Sequence, residues 1–419
     1  MVPSKPTGPW LLVVALAIGY LLVYFLTLPV PPLIENSLDT AEMSPRVTEK
    51  SSALSSTTPM TLSTAIDVRQ LLSTYTEYRP ELPRSSPQRT CRPSGIAMFT
   101  YVIKRDIAEF YERPMRTQRC YASRMNYTHL IVDDADPTIR AVCTQTSGWF
   151  RKHCAVRATL LARPDLRYLF VLDADTGVCN PDHCLEHWID DPTVDLQFHE
   201  RFFLWEPSAG NYVVKNTNYS HQFLAKWAAY HEKLPRFGYT SHDNGALLVL
   251  LLQEVFPDHP GYAGQCNGLW HSPGLYYQYV FCVASRLRQR TRARHVRLRL
   301  RAHSWVIDRH IVHDHWTEYS FFNHGWKTDQ IANGTQWALS RAPTGDECSA
   351  SVRAPWPLRP EQQLSELGMR GLLASEEVGR QLALHVPKWP DVRDCWPRCE
   401  SNDTRQLSKM RLKFGNVGH

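Results

Sequence analysis

Two aspartates one residue apart end an apolar stretch of the sequence. Asp173 and Asp175 follow the run RYLFVL, and the turn-forming pairs Thr-Gly and Asn-Pro come soon after them. Carboxylates at positions i and i+2 of a turning backbone can converge on one cation, and Mg²⁺ or Mn²⁺ prefers such hard oxygen ligands. A metal held there would neutralise the charge on a diphosphate leaving group. The alternative is a solvated turn at the end of a strand, which is the commoner origin of a bare D-x-D.

The segment FFNHGWK (321–327) offers a complement to the aspartate pair. A neutral imidazole at His324 can add a nitrogen ligand to the same metal. Gly325 allows a close approach of the backbone, and Lys327 can reach a phosphate as a point charge. The alternative is an ordinary surface histidine and lysine.

Two further segments offer contacts to a sugar. In WEPSAGNYVVKN (205–216) small residues around Gly210 would let a sugar lie on the backbone, and Asn211 could hydrogen-bond its hydroxyls. The alternative is a simple turn into a strand. In SHDNGALL (241–248) Asp243 is either a helix N-cap or a carboxylate that faces the sugar or the acceptor hydroxyl, and it can be both. Glu206 is a lesser candidate carboxylate.

The elements that must position these residues alternate between strands and helices. Apolar runs predict strands at 95–103, 128–136, 166–173, 194–198 and 210–216, and helical spacing predicts helices at 114–125, 147–164, 219–234 and 243–256. This alternation predicts an α/β sheet with helices on its faces. Ligands of such sheets lie beyond the carboxyl ends of the strands, where Asp133 and Asp134 are expected beside Asp173 and Asp175.

The N-terminal region predicts an anchored protein. Residues 1–9 are expected to form a short cytoplasmic tail, and the charge-free apolar residues 10–30 an uncleaved transmembrane anchor. The alternative is a cleaved signal peptide. Lys5 precedes the anchor and acidic residues follow it, which orients the body towards the lumen. Four Asn-x-Ser/Thr triplets, at 126, 218, 333 and 402, and eleven cysteines agree with an oxidising secretory compartment and with disulfides. The odd number of cysteines leaves at least one without an intramolecular partner.

The rest of the chain divides into three parts. Residues 31–90 are rich in Ser, Thr and Pro and predict an unfolded stalk, which would hold the body away from the bilayer. Residues 91–340 form the expected catalytic domain, and 341–419 form a C-terminal extension that is expected to wrap around it. The formal net charge of +6 indicates little by itself, and no nucleic-acid partner is expected.

The segment 285–301 carries eight arginines, of which the first five alternate with other residues. A strand would place these five on one face. The first interpretation is a solvated edge or hairpin whose charge blocks aggregation. The other is a surface that binds an anionic partner.

Four segments together resemble a family of nematode type II membrane proteins similar to glycosyltransferases. They are RYLFVLDADTGVCNP, ERFFLWEPSAGNYVVKNTNYSHQFLAKWA, HDNGAL and HSWVIDRHIVHDHWTEYSFFNHGWK. The order of D-x-D, a small residue with glycine before VVKN, and a late His-Gly-x-Lys more distantly resembles the α-galactosyl- and α-xylosyltransferases of fungi and plants. The resemblance covers roughly residues 94–330, and it implies a nucleotide-diphospho-sugar transferase fold of glycosyltransferase type A.

The resemblance also implies roles for the candidate residues. It makes Asp173 and Asp175 ligands of the metal and the donor diphosphate, His324 the third protein ligand, and Lys327 a diphosphate contact. Gly210, Asn211 and Asp243 would line the donor sugar, and Asp133 would lie near the nucleoside. The implied enzyme is a Golgi hexosyl- or pentosyltransferase with Mn²⁺ or Mg²⁺, a nucleotide-sugar donor, a glycan or glycoprotein acceptor, and retention of anomeric configuration.

Two other functions compete with this one. The first is a catalytically inactive lumenal protein of the same fold that binds a carbohydrate or a nucleotide. The second is a metal-dependent phosphohydrolase, which usually needs more clustered ligands for two metals. Histidines 310, 313 and 315 fit neither one helical face nor a standard zinc spacing, so this function is the least favoured.

Overall fold

The computed structural model of the chain describes residues 76–78, 91, 94–103, 110–202, 206–287, 289–299, 301, 304–328, 337–352 and 354–383. The expected tail (1–9) and anchor (10–30) lie outside these residues, and so does the expected stalk (31–90) apart from 76–78. Among the helices described, none is both long enough and apolar enough to span a bilayer.

The main sheet contains, within the described residues, seven strands in the order β1-β3-β2-β4-β7-β6-β8. These strands are β1 (Thr76–Tyr78), β2 (Ile96–Val102), β3 (Thr128–Asp133), β4 (Tyr168–Asp173), β6 (Leu196–His199), β7 (Tyr212–Lys215) and β8 (Val296–Arg299). Strands β3, β2 and β4 run parallel to one another, whereas β7 is antiparallel to both β4 and β6. The expected α/β class with a mixed sheet is therefore confirmed.

A smaller sheet lies beyond the carboxyl end of β4. It has the order β5-β10-β9, with β5 (Thr176–Val178), β9 (Val306–Asp308) and β10 (Phe322–His324). The helices are α1 (Glu112–Met125), α2 (Pro137–Val142), α3 (Gly148–Ala162), α4 (Asn218–Ala229), α5 (His242–Val255), α6 (Pro260–Trp270), α7 (Tyr276–Leu287), α8 (Arg309–Val312) and α9 (Glu366–Ala383).

Both faces of the main sheet are covered by packed layers. Successive residues of a strand point to opposite faces, so Phe99 of β2 joins one apolar cluster and Met98 joins the other. The first cluster includes buried residues of α3 to α7, and the second includes those of α1 and of the smaller sheet. Burial on both faces explains why β2 and β4 appear in the sequence as continuous apolar runs.

Local sequence signals account for several helix ends. The Asp136 side chain accepts hydrogen bonds from the backbone N–H groups of Thr138 and Ile139, and Pro137 occupies the first turn of α2. Helix α4 begins after Thr217, whose hydroxyl accepts from Ser220 N–H. These capping side chains satisfy backbone donors that the helix itself leaves without partners.

Three sequence predictions differ from the structure. Strand β1 pairs antiparallel with β3, so the main sheet includes three residues of the segment expected to be stalk. The helix expected over 219–234 ends at Ala229 and is followed by a 3₁₀ turn, Tyr230–Lys233. The alternating arginines do not form one strand, because α7 continues through Leu287 and β8 begins only at Val296.

The arginine-rich segment ends in an edge strand, since β8 closes the main sheet. Several of its described arginines form ion pairs within the chain. Arg290 binds Asp258 with contacts of 2.8 and 3.0 Å, and Arg297 lies 2.8 Å from Asp190. These pairs favour the interpretation as a charged edge over a surface for an anionic partner.

Four disulfides join the described cysteines in pairs: Cys91–Cys184, Cys120–Cys348, Cys143–Cys154 and Cys266–Cys282. Cys179 is buried and has no disulfide partner. The second pair attaches the region beyond residue 340 to α1, where Arg124 also donates to the carbonyls of Glu347 and Ala354. The expectation of disulfides is confirmed.

Candidate active site

The carboxyl end of β4 is the centre of the site. Asp173 is the last residue of β4, next to Tyr101 of the parallel strand β2. Asp133 ends β3 on the far side of β2. Adjacent strands lie about 4.8 Å apart, so the backbones of Asp133 and Asp173 are separated by about 10 Å along this edge. The structure therefore places both aspartates at the expected edge, but not in one cluster.

The smaller sheet brings His324 to the aspartate pair. The register of β10 sets His324 opposite Thr176 of β5 on one side and opposite Asp308 of β9 on the other. Beyond His324 the chain turns through Gly325, whose φ of 95° favours glycine. The Gly325 N–H donates to the Asp175 carbonyl at 3.1 Å, which ties the two segments together.

Asp173, Asp175 and His324 form one cluster of metal-ligand type. One ligand atom from each lies within 4.8 Å of the others. The Nε2 atom of His324 is 3.6 Å from Asp173 Oδ2 and 3.4 Å from Asp175 Oδ1. Ligand atoms at right angles around a metal with bonds of about 2.1 Å are separated by about 3 Å, so a small shift lets this set hold Mn²⁺ or Mg²⁺. A cluster at Cys91 and Cys184 does not compete, because these cysteines form a disulfide.

Asp308 orients the ring of His324. Its Oδ1 lies 2.8 Å from His324 Nδ1, which leaves Nε2 directed at the aspartate pair. Arg201 in turn contacts both carboxylate oxygens of Asp308, at 3.1 and 3.2 Å. Burial alone would raise the pKa of Asp308, but Arg201 and His324 outweigh it and hold the pKa far below its usual range. A carboxylate behind a ligand histidine is the usual support of a metal site.

The surrounding carboxylates control the protonation of His324. Burial alone would lower the pKa of its imidazole, but Asp175, Asp173 and Asp308 together raise it well above its ordinary value. The ring is therefore protonated in the absence of a metal, and a cation at Nε2 would replace that proton. Two carboxylates with one imidazole are ligand types that Mn²⁺ accepts. The donor set thus fits a metal by its chemistry as well as by its distances.

Lys152 of α3 connects the aspartate pair with Asp243. Its Nζ atom lies 3.2 Å from Asp173 Oδ1 and 3.2 Å from Asp243 Oδ2, and its side chain is buried. Burial alone would lower the pKa of Lys152, but Asp173 and Asp243 outweigh it and raise the pKa, so the ammonium stays charged. The cation compensates two carboxylates that would otherwise repel each other.

Asp243 is also bound by His153. The imidazole Nε2 lies 3.1 Å from Asp243 Oδ2, and its Nδ1 lies 3.0 Å from the Tyr212 hydroxyl. Burial lowers the pKa of His153 to about 4, so the ring is neutral at neutral pH and Nε2–H donates to the carboxylate. Ser241, not Asp243, is the N-cap residue of α5. The N-cap prediction for Asp243 is wrong because its carboxylate is used by Lys152 and His153.

Gly210 and Asn211 lie directly against Asp173. A Cβ atom on Gly210 would lie 2.0 Å from Asp173 Oδ2, so only glycine leaves room for this carboxylate. Asn211 is fully buried, and its Oδ1 accepts from the Thr176 hydroxyl at 2.9 Å and from Asp173 N–H at 3.4 Å. Asn211 thus fixes the backbone around the aspartate pair, and its side chain is covered by protein rather than open to a sugar.

We expect Gly210→Ala to weaken Mn²⁺ binding about 10- to 100-fold, the range seen when groups that position metal ligands are altered. The added methyl group displaces the Asp173 carboxylate from His324. Isothermal titration of Mn²⁺ into the full chain measures the effect. Gly264→Ala is the matched control, since a Cβ there meets nothing within 4 Å. Equal Mn²⁺ affinity in the two variants would contradict the geometry.

The other predicted residues lie around this cluster. Lys327 Nζ is 4.0 Å from Asp175 Oδ2, and its side chain is 42 % exposed. The Asp133 carboxylate accepts from Ala135 N–H, which closes the turn after β3. Glu206 is buried and accepts from the Tyr276 hydroxyl at 2.8 Å, and burial raises the pKa of this carboxyl. The structure brings Lys327 to the aspartate pair, whereas Asp133 and Glu206 have structural hydrogen bonds.

Sequence reasoning missed Lys152, His153, Arg201 and Asp308. One signal was present for Lys152, because Val156 lies four residues later in the predicted helix, and a charged residue on an apolar helical face indicates a paired ion. For the others no local signal exists, since Arg201 and Asp308 are separated by 107 residues.

Comparison with known proteins gives a family and distant similarities to solved structures, one of which is described below. No curated protein matches the sequence. A solved structure described as "crystal structure of a glycosyltransferase involved in the glycosylation of the major capsid of PBCV-1" matches with a TM-score of 0.35 and 12% identity, over 55% of this chain and 92% of that chain. The family model described as "Protein of unknown function, DUF273" matches residues 118–340, more than half of the chain, and the chain belongs to this family.

Proposed function

We propose that the protein is a glycosyltransferase that moves a hexose or a pentose from a nucleotide-diphospho-sugar to a glycan or glycoprotein acceptor. The observation that carries this proposal is the cluster of Asp173, Asp175 and His324 at the carboxyl end of a central strand, with Lys327 beside it. This edge of an α/β sheet is where ligands bind. Hard oxygen ligands with one imidazole are suited to a divalent cation that bridges phosphates.

The proposed division of roles follows the contacts. Asp173, Asp175 and His324 would hold Mn²⁺ or Mg²⁺, which when bound supplies positive charge to the leaving diphosphate. Lys327 is exposed and 4.0 Å from Asp175, so it can add a second positive charge to the same phosphates. Asp308 keeps the His324 ring in place.

Lys152, Asp243 and Asn211 support the aspartate pair from inside the protein. Lys152 holds the Asp173 carboxylate from one side, and Asn211 holds its backbone N–H. Asp243 keeps the Lys152 ammonium in place. Direct contacts of Asn211, Asp243 and Gly210 with the donor sugar, and of Asp133 with the nucleoside, stay predictions. The hydrogen bond of Asn211 with Asp173 and the ion pair of Asp243 with Lys152 support positioning roles for Asn211 and Asp243.

The proposal includes a location and a stereochemical outcome. Four disulfides support an oxidising compartment, and residues 10–30 supply the anchor of a single-pass type II protein of the Golgi membrane with a lumenal catalytic domain. Retention of anomeric configuration rests on the resemblance to the α-galactosyl- and α-xylosyltransferases.

A panel of nucleotide-diphospho-sugars tests the function. The full chain, produced in a eukaryotic secretory host, is incubated with each donor and Mn²⁺, and free nucleotide diphosphate is measured. We expect release from at least one donor, loss of release when EDTA removes the metal, and recovery when Mn²⁺ is added back. Binding of nucleotide and Mn²⁺ without any release, with or without a mixture of glycan acceptors, would instead indicate an inactive binding protein.

A further inference from the structure

Exposed aromatic side chains lie on or beside the segment 237–242. The exposed fractions are 41% for Trp149, 77% for Phe237, 63% for Tyr239 and 46% for Tyr277. We call these four residues the aromatic rim. Of the large aliphatic side chains that are exposed in the described residues, Leu161 lies at the other end of α3 from Trp149, and Val352 and Leu367 lie on other segments. Exposed apolar groups that gather in one region mark a binding surface, whereas scattered ones do not.

One side of the aromatic rim adjoins the candidate active site through α3 and α5. The Trp149 ring stacks on the His242 ring with their centroids 6.0 Å apart. His242 is exposed and immediately precedes Asp243 in the chain. Trp149 lies three residues before Lys152 on the same helix, so one helical turn separates it from the cation that holds Asp173. A ligand stacked on Trp149 would therefore lie beside the first turns of α3 and α5, which carry Lys152 and Asp243.

The other side of the aromatic rim is fixed by Tyr276. This ring meets Tyr239 edge-on at 5.0 Å and lies 6.3 Å from Tyr277. Its hydroxyl donates to the buried carboxylate of Glu206, which also accepts from the Ser241 hydroxyl at 3.5 Å. Glu206 therefore holds Tyr276 and Ser241 in place beside the aromatic rim. This role accounts for a buried carboxylate outside the metal cluster.

The segment 240–242, directly after Tyr239, has an unusual backbone that is supported by its neighbours. Ser241 and His242 have φ values of 52° and 47°, which non-glycine residues rarely adopt. The carbonyl of Thr240 accepts from the Trp270 indole N–H at 3.2 Å. Residues in such conformations persist where the surroundings impose them, which is typical of binding segments. The backbone directly after Tyr239 is thus held in place by its surroundings.

We propose that the aromatic rim binds the acceptor saccharide, an inference that rests on the proposed glycosyltransferase function. The apolar, electron-rich face of an indole or phenol ring matches the C–H face of a pyranose ring, and the phenol hydroxyls can bond sugar hydroxyls at the ring edge. Tyr and Trp provide this area with little loss of side-chain freedom on binding. The position beside Asp243 and Lys152 would hold the acceptor next to the donor diphosphate.

Saturation-transfer NMR with simple sugars tests the proposal on the full chain. The probes are the methyl glycosides of galactose, glucose, mannose, xylose and N-acetylglucosamine. We expect at least one to receive signal from the protein, and Trp149→Ala and Tyr239→Ala each to weaken its binding about tenfold. Leu161→Ala, which removes an exposed side chain from the same helix as Trp149, should leave the binding unchanged. Tyr277→Ala is a further rim variant in case Trp149→Ala is not secreted.

The outcomes separate this proposal from the proposed function. If the unchanged chain releases nucleotide diphosphate from a donor but no glycoside binds, or binding is equal in the rim variants, the saccharide proposal is wrong and the enzyme remains. If no donor is cleaved, the proposed function is wrong, and the acceptor role that rests on it is overturned as well. A dimer that Tyr239→Ala converts to a monomer, without saccharide signal, would assign the rim to a second copy of the chain and overturn the proposal.

Discussion

Asp175→Ala is expected to reduce release of nucleotide diphosphate from the donor by about 10²- to 10³-fold, while the chain still folds and is secreted. The variant removes one of three clustered ligand atoms and leaves His324 with Asp173 and Asp308 as its acidic neighbours. The Asp175 carbonyl still accepts from Gly325 and Trp326 N–H groups, so the link between β5 and β10 stays in place.

Donor turnover and Mn²⁺ binding of Asp175→Ala are measured side by side with Asp258→Ala. The control removes an exposed aspartate that is paired with Arg290, and exposed ion pairs contribute little to stability. We expect the control to match the unchanged chain in both measurements. Full donor turnover in Asp175→Ala would refute the metal role of the cluster.

Lys152→Met is expected to lower the free energy of unfolding by about 3–5 kcal/mol, the usual effect of breaking a buried ion pair from one side. The variant leaves Asp243 buried with His153 as a neutral donor, and it removes the cation between Asp243 and Asp173. Methionine keeps much of the side-chain volume, so the loss reports on charge rather than on a cavity.

Chemical denaturation of the full chain measures this change, with Lys226→Met as the matched control. Lys226 is 60% exposed and pairs with Glu254 at 3.2 Å, so its loss should cost less than about 1 kcal/mol. Combining Lys152→Met with Asp243→Asn should recover part of the stability, because the uncompensated buried carboxylate is removed as well. If Lys152→Met were as stable as Lys226→Met, the buried ion pairs of Lys152 would contribute no such stabilisation.

The sequence predicts the main strands and the edge at which the site lies. The apolar runs before Asp133 and Asp173 are strands that end within a few residues of the expected positions. Their burial on both faces makes the signal strong, because such strands are continuous apolar runs. The D-x-D pair and His324 are predicted to share one metal because carboxylate oxygens and an imidazole nitrogen are both ligands for a divalent cation.

The sequence does not predict contacts between side chains that are far apart in the chain. Lys152 and Asp243 are 91 positions apart, and nothing local distinguishes Asp308 from other aspartates. The arginines illustrate the same limit, since their alternation suggested a strand but helix α7 reaches Leu287. Which acids neutralise them, such as Asp258 for Arg290, is decided by the fold and not by the spacing.

The link between Cys120 and Cys348 turns most of the protein into a covalent ring. These cysteines are 228 positions apart, and all the site residues from Lys152 to Lys327 fall between them. Closing a ring of this size removes about 5 kcal/mol of chain entropy from the unfolded state. A chain cut at 340 would be open, with Cys120 left without its partner. A unit that keeps this covalent ring must therefore include residue 348.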